Sequence, residues 1–140
     1  MTTRLSVFLL LLICAVSTAH AEGPLARYQW SHRLVLVYDP AGMQELEAAL
    51  AEFKAELIDR DILVLPLHGD LDHDRVVNLS QTDRDALRRR YQIDSGQTAY
   101  LLIGKDGGLK ERAPKPAWKA FFAAVDQMPM RRQELRNRSL

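Results

Sequence analysis

Two short apolar segments joined by one amphipathic segment constrain the fold of this chain more than any other feature. Residues 33–38 and 62–65 are almost continuously apolar, a pattern typical of strands that are buried on both faces. Turn-forming residues at 39–42 precede apolar side chains at three- and four-residue steps, which predict a helix: Met43, Leu46, Leu50, Phe53 and Leu57. Two buried strands joined by a helix within about thirty residues form a right-handed parallel unit.

The second half of the chain predicts a further helix and a β-hairpin. Thr82 is typical of an N-cap with Asp85 at the third helical position, and that helix should end near Tyr91. Residues 98–103 predict a third strand. An Asp-Gly turn then leads into a shorter and more polar strand over residues 109–112, which we expect at an edge of the sheet.

A final helix completes the expected fold, because four large apolar side chains recur at helical spacing: Trp118, Phe121, Phe122 and Val125. The order of elements is then β-α-β-α-β-β-α. We expect an α/β fold of the three-layer sandwich type, with a central four-stranded mixed sheet, in one domain over residues 22–130.

The amino-terminal segment has the features of an export signal. Residues 1–4 include Arg4, residues 5–16 form an apolar run, and Ala19 and Ala21 flank His20 in a small-x-small cleavage site. A membrane span needs about 20 apolar residues, and the polar residues after position 16 end this run early. We therefore expect a signal peptide over residues 1–21, cleaved after Ala21, and a periplasmic or secreted protein.

Cleavage would change the composition on which functional arguments depend. It would leave 119 of the 140 residues, with 18 basic side chains against 18 acidic ones and without Cys14, the only cysteine. A neutral chain lacks long-range attraction for polyanions, so we expect no nucleic-acid binding and no stable membrane insertion after cleavage. Arginines crowd residues 131–140, where we expect a solvated basic C-terminal tail.

The order of elements resembles a minimal thioredoxin fold over residues 33–126. Within it, residues 98–107 resemble the thioredoxin strand and its Lys-Asp-Gly turn. Two further motifs, Tyr-Gln-Trp-Ser-His-Arg at residues 28–33 and Met-Pro-Met-Arg-Arg at residues 128–132, resemble the bacterial branch of the P-DUDES family. That family is a thioredoxin-like domain of unknown function that also occurs in extracellular proteins of the equarin and sushi-repeat type.

The resemblance implies the fold without its redox chemistry. Thioredoxin-like redox enzymes need a cysteine where the first helix begins, because the helix amino terminus stabilises a thiolate. The corresponding residues 38–43 contain none. Those enzymes also carry a cis-proline before the third strand, and Thr98 and Ala99 occupy the matching positions. We therefore expect no thiol oxidoreductase activity and no catalytic residues.

One polar loop concentrates groups that bind metals. Residues 67–81 predict a connection longer than usual in a compact domain, and residues 68–74 contain two imidazoles and three carboxylates: His68, Asp70, Asp72, His73 and Asp74. Such groups bind zinc or manganese, yet their spacing matches neither a zinc motif nor a calcium loop. A solvated acidic loop is the simpler interpretation.

Three other residues are candidates for a binding site. Asp39 ends the first strand, where it could orient a ligand or act as an N-cap or turn residue. Thr98 begins the third strand, and Trp30 precedes the first. Our leading hypothesis is a redox-inactive domain that binds a protein or peptide, with an exported or envelope protein as partner and no cofactor. Divalent metal binding by residues 68–74 is the alternative.

Overall fold

The computed structural model describes residues 23–140. The expected signal peptide over residues 1–21, with the cleavage residues Ala19 and Ala21, lies outside the described residues. In the described part, no helix is both long enough and apolar enough to cross a lipid bilayer.

Four strands and five α-helices follow a short 3-10 turn at Ala26–Tyr28 within residues 23–140. The strands are β1 (Arg33–Tyr38), β2 (Ile62–Pro66), β3 (Ala99–Ile103) and β4 (Leu109–Ala113). The helices are α1 (Met43–Glu52), α2 (Lys54–Asp59), α3 (Gln81–Arg90), α4 (Trp118–Asp126) and α5 (Pro129–Arg138).

The strands form one mixed sheet in the order β2-β1-β3-β4. β1 and β2 are parallel, with Arg33 opposite Ile62, whereas β3 is antiparallel to both β1 and β4. The parallel pair is joined through α1 and α2, as expected for two buried strands that flank a helical segment. The predicted α/β fold with a central four-stranded mixed sheet is therefore confirmed.

Each face of the sheet is covered by its own apolar core. Alternate residues of a strand point to opposite faces, so Val35 and Val37 pack with α1 and α4, whereas Leu34 and Leu36 pack with Leu87 of α3. Every residue of β1 is buried, in agreement with its nearly continuous apolar sequence. The structure thus has the three layers that the sequence predicts.

The two edges of the sheet differ. Two backbone hydrogen bonds hold part of the loop after β2 against that edge strand. The N–H of Val64 donates to the carbonyl of Arg75 at 2.8 Å, and the N–H of Val77 donates to the carbonyl of Val64 at 3.0 Å. The Arg75 side chain also donates to the carbonyl of Ile62. At the opposite edge no strand of residues 23–140 lies beyond β4, whose residues 109–112 are exposed. This confirms the predicted edge position of the last strand.

Two helix boundaries differ from the sequence prediction. The first helix is interrupted at Phe53, which divides it into α1 and α2. Helix α3 begins two residues earlier than expected, because its N-cap is Ser80 and not Thr82. The hydroxyl of Ser80 accepts the backbone N–H of Asp83 at 3.1 Å. Serine and threonine are both favoured N-caps. Because Ser80 and Thr82 lie so close together in sequence, the path of the preceding loop decides which of them caps the helix.

The expected basic tail over residues 131–140 is wrong as a description of this segment. Residues 129–138 form helix α5, which has Pro129 in its first turn. Arg131 is only 2% exposed and is the one buried residue of that helix. Its guanidinium donates to the backbone carbonyl of Asp59 at 2.7 Å, and Arg138 reaches the carboxylate of the same residue. Charge pairing therefore holds a segment that lacks an apolar face.

Candidate functional site

Asp39 lies at the carboxyl end of β1, between the strand and α1. Its half-buried carboxylate accepts a hydrogen bond from the hydroxyl of Tyr100 at 2.9 Å and lies 3.5 Å from the hydroxyl of Thr98. The antiparallel register brings these residues together, because Tyr38 stands opposite Ala99. Burial, and then the bond to the Asp39 carboxylate, raise the pKa of the Tyr100 hydroxyl, so this phenol remains a donor.

Gly42 allows the Asp39 carboxylate to occupy this position. A Cβ atom at residue 42 would lie 2.2 Å from Oδ2 of Asp39, closer than any non-bonded contact allows. The backbone N–H of Gly42 donates to the carbonyl of Asp39 at 3.0 Å, and Gly42 is itself the N-cap of α1, which no side chain caps. Asp39 is thus a turn residue whose side chain faces Tyr100, and not an N-cap.

An open cleft lies beside this cluster. It is lined by the residues that precede β3 and those that end β4: Gln97, Thr98, Arg112, Ala113 and Pro114. Tyr100 stands opposite Ala113 in the sheet register, so the cleft and the Asp39 carboxylate share one end of the β3–β4 pair. The sequence did not predict this cleft, because its two sides come together only through the pairing of β3 with β4.

Trp30 does not belong to this cluster. It precedes β1, whereas Asp39 follows it, and a six-residue strand separates its two ends by roughly 17–20 Å. Its side chain is 64% exposed, its φ of 69° lies in the left-handed region, and its N–H donates to the carbonyl of Lys105 at 2.6 Å. Of the three predicted binding residues, the structure brings together Asp39 and Thr98 only.

The predicted metal loop presents separate ion pairs. Asp70 pairs with Arg84, and Asp74 pairs with Lys54 at 2.8 Å. The Nδ1 atom of His73 accepts the backbone N–H of Arg75 at 3.1 Å. Among residues 23–140 no three histidine, cysteine or acidic side chains are grouped as metal ligands would be, His68 and Asp72 included. These side chains are close together in sequence, but in the folded chain they contact separate partners along the loop.

A second polar cluster, which the sequence does not predict, lies at the opposite end of β1. The side chain of Arg33 is 1% exposed and donates two hydrogen bonds of 3.2 Å to the carboxylate of Glu134. Lys105 donates to the same carboxylate at 2.7 Å and to Asp61 at 2.9 Å. The available sequence signal was a basic residue at the start of an otherwise apolar buried strand.

Comparison with solved structures defines the class to which this architecture belongs. A 2-Cys peroxiredoxin of Plasmodium vivax superimposes with a TM-score of 0.57 at 10% identity, over 78% of this chain and 84% of that one. Thioredoxin peroxidase I of Plasmodium yoelii gives 0.58 at 12% identity, over 78% and 79%. AhpC of Mycobacterium tuberculosis gives 0.52 at 10% identity, over 79% and 81%. The fold is thioredoxin-like, as the sequence predicts.

The family is defined by sequence. A family model described as "Domain of unknown function (DUF4174)" matches residues 24–134, most of the chain, so the protein belongs to that family. It is also similar to coiled-coil domain-containing protein 80 of Danio rerio, at 28% identity over 137 residues and 81% of this chain. The chain spans only 16% of the length of that relative.

Proposed function

We propose that this chain is an exported, redox-inactive thioredoxin-like domain that binds an extended segment of a protein or peptide along β4. The observation that carries the proposal is the contrast between the two edges of the sheet. A loop covers β2, whereas no strand of residues 23–140 pairs with the outer edge of β4. An open strand edge offers backbone groups to which an extended peptide adds as a further strand.

The cleft beside Thr98 gives this edge a defined end. A peptide paired with β4 would continue from Leu109 towards Ala113 and meet the cleft, next to the Asp39 carboxylate. The charged residues Lys110, Glu111 and Arg112 discourage indiscriminate pairing of such an edge. They also favour a partner segment with complementary charges, since opposite charges on adjacent strands stabilise a pair.

Two parts of this proposal, export and the loss of redox activity, are supported by the sequence. The apolar run and small-x-small site in residues 1–21 support a periplasmic or secreted location with an exported or envelope protein as partner. Residues 38–43 lack the thiol that redox chemistry requires, and Cys14 lies within the proposed signal. The motifs at residues 28–33 and 128–132 support assignment to the bacterial branch of the P-DUDES family.

A peptide selection followed by mapping tests the binding proposal. Peptides selected from a random library on the mature chain should perturb the backbone NMR signals of residues 97–98 and 109–113. Gln97→Arg should abolish their binding, because residue 97 lines the cleft and is exposed. Ala51→Arg places the same side chain on an exposed position of α1 and is the matched control.

Three outcomes would reject peptide binding at this edge. The library could yield no binder, the perturbed signals could fall on α1 or α5, or Gln97→Arg could bind as tightly as Ala51→Arg. A disulfide-reductase assay on the mature chain tests the redox part separately, and measurable turnover there would contradict it.

A further inference from the structure

Helix α3 has a row of polar atoms that are buried without a hydrogen-bond partner. Among residues 23–140 four buried side-chain nitrogen or oxygen atoms have no partner, and three belong to α3 or its C-cap: Arg84 Nε, Arg88 Nε and the Tyr91 hydroxyl. Their spacing of four and then three residues places them on one side of the helix. Because buried polar atoms nearly always have a hydrogen-bond partner, in the protein or in water, such a row points to a partner supplied from outside the chain.

The Arg88 end of this row lies against the carboxyl ends of the parallel strands. The Arg88 guanidinium carbon is 4.2 Å from the centre of the Tyr38 ring, at the last residue of β1. The ring of His68, two residues after β2, meets the same tyrosine edge-on at 5.9 Å between ring centres. A guanidinium and an imidazole are thus held around one aromatic ring.

The charges of this group are only partly compensated. Arg84, whose side chain is 8% exposed, pairs with Asp70, whose own side chain is 73% exposed. The side chain of Arg88 forms no ion pair within 4.0 Å in the described part of the chain, and its only hydrogen bond there is a 3.5 Å contact with the carbonyl of Ile93. Asp85 and Asp94 line the outer groove beside Arg88, where Asp85 accepts a bond from Gln81.

We propose that Arg84, Arg88 and His68 form a binding site for an oxyanion, either a carboxylate or a phosphate group. Asp70 is the internal carboxylate that the ligand displaces from Arg84. Guanidinium groups are well suited to donate to the oxygens of a carboxylate or phosphate, and here two of them belong to residues one helical turn apart. The exposure of Asp70 lowers the cost of releasing its carboxylate into water. The site lies on the α3 face of the sheet and does not depend on peptide binding along β4.

Titration of the folded domain tests the site with two defined probes, inorganic phosphate and N-acetyl-glutamate amide. Either probe should shift the ring NMR signals of Tyr38 and His68, and the preferred probe identifies the source of the oxyanion. Arg88→Ala should weaken binding about tenfold or more, as expected when charge-assisted hydrogen bonds are lost. Arg90→Ala removes an equal charge from an exposed position of the same helix and should leave the affinity unchanged.

Asp70→Asn gives a test that loss of folding cannot imitate. It removes the carboxylate that competes for Arg84, so the preferred probe should bind several-fold more tightly than to the wild type. The proposal is overturned if the wild type binds neither probe, if Arg88→Ala and Arg90→Ala weaken binding equally, or if Asp70→Asn fails to strengthen it. Circular dichroism of each variant confirms that the comparison is between folded proteins.

Discussion

Replacing Glu134 by glutamine should destabilise this domain strongly, because one carboxylate neutralises two buried cations. The side chains of Arg33 and Lys105 are 1% and 8% exposed, and both donate to Glu134, whose side chain is 22% exposed. Glutamine retains one acceptor oxygen but no charge. Arg33 has no other carboxylate within ion-pair distance in residues 23–140, so the variant leaves it buried and uncompensated.

The size of the expected loss in stability follows from the burial of these groups. Removing one partner of a buried ion pair typically costs about 3–5 kcal/mol, because the remaining charge stays out of water. Glu134 is partly solvated, and Lys105 retains its bond to Asp61 at 2.9 Å, so the lower end of the range applies. We expect a loss of about 3 kcal/mol in the free energy of unfolding, equivalent to roughly 12 °C in Tm for a domain of this size.

Urea unfolding of the mature chain measures this loss directly. Glu47→Gln is the matched control, since that exposed glutamate of α1 forms no ion pair within residues 23–140 and should change stability by at most about 0.5 kcal/mol. Limited proteolysis should also cleave α5 faster in Glu134→Gln, because Glu134 and Arg131 join that helix to the rest of the domain.

The difference in stability between the wild type and Glu134→Gln should depend on pH with a defined sign. Burial acts to raise the pKa of the Glu134 carboxyl, but the hydrogen bonds and charges of Lys105 and Arg33 hold it below its usual 4.5. A carboxyl with a lower pKa in the folded chain stabilises the fold above its unfolded pKa, and this contribution is lost as pH falls through the folded value. The wild type and Glu134→Gln should therefore differ most near neutral pH and converge in acid.

Two results would refute this reasoning. A loss below about 1 kcal/mol at neutral pH would show that water or a rearranged neighbour compensates Arg33. A difference that is independent of pH would show that shape, and not charge, makes Glu134 important.

Three further predictions concern other parts of the molecule. Burial, helped by a neighbouring arginine, lowers the pKa of His32 below 6.5, so urea stability should fall as pH drops from 7.5 to 5.5 and His32→Asn should reduce that slope. Gly42→Ala would force the Asp39 carboxylate aside and should cost about 1–3 kcal/mol in thermal unfolding, whereas Gly96→Ala, where a Cβ meets nothing within 4 Å, should be nearly neutral. Calorimetric titration with zinc should show no heat at micromolar metal, because the loop over residues 68–74 already pairs two of its carboxylates with cations. A micromolar zinc site would contradict that prediction.

The site was only partly predictable. Asp39 and Thr98 were candidates from their positions at strand ends, and the β1–β3 register then placed their side chains 3.5 Å apart. Trp30 was also a candidate, yet it lies at the other end of β1. Position at the end of a strand can be inferred from sequence, whereas the opposing residue depends on register between segments about sixty residues apart.

The sequence by itself determined the four strands, the helical segments before residue 127, their order and the mixed sheet. The spacing of apolar side chains records which faces are buried, and this is a local property of the chain. The tertiary structure alone decided how the charges pair. Residues 131–140 read as a solvated tail, but Glu134 meets Arg33, which is 101 residues distant, and Arg131 meets Asp59, 72 residues distant. An ion pair leaves no periodic trace in sequence, since its strength depends on how far the fold removes both groups from water.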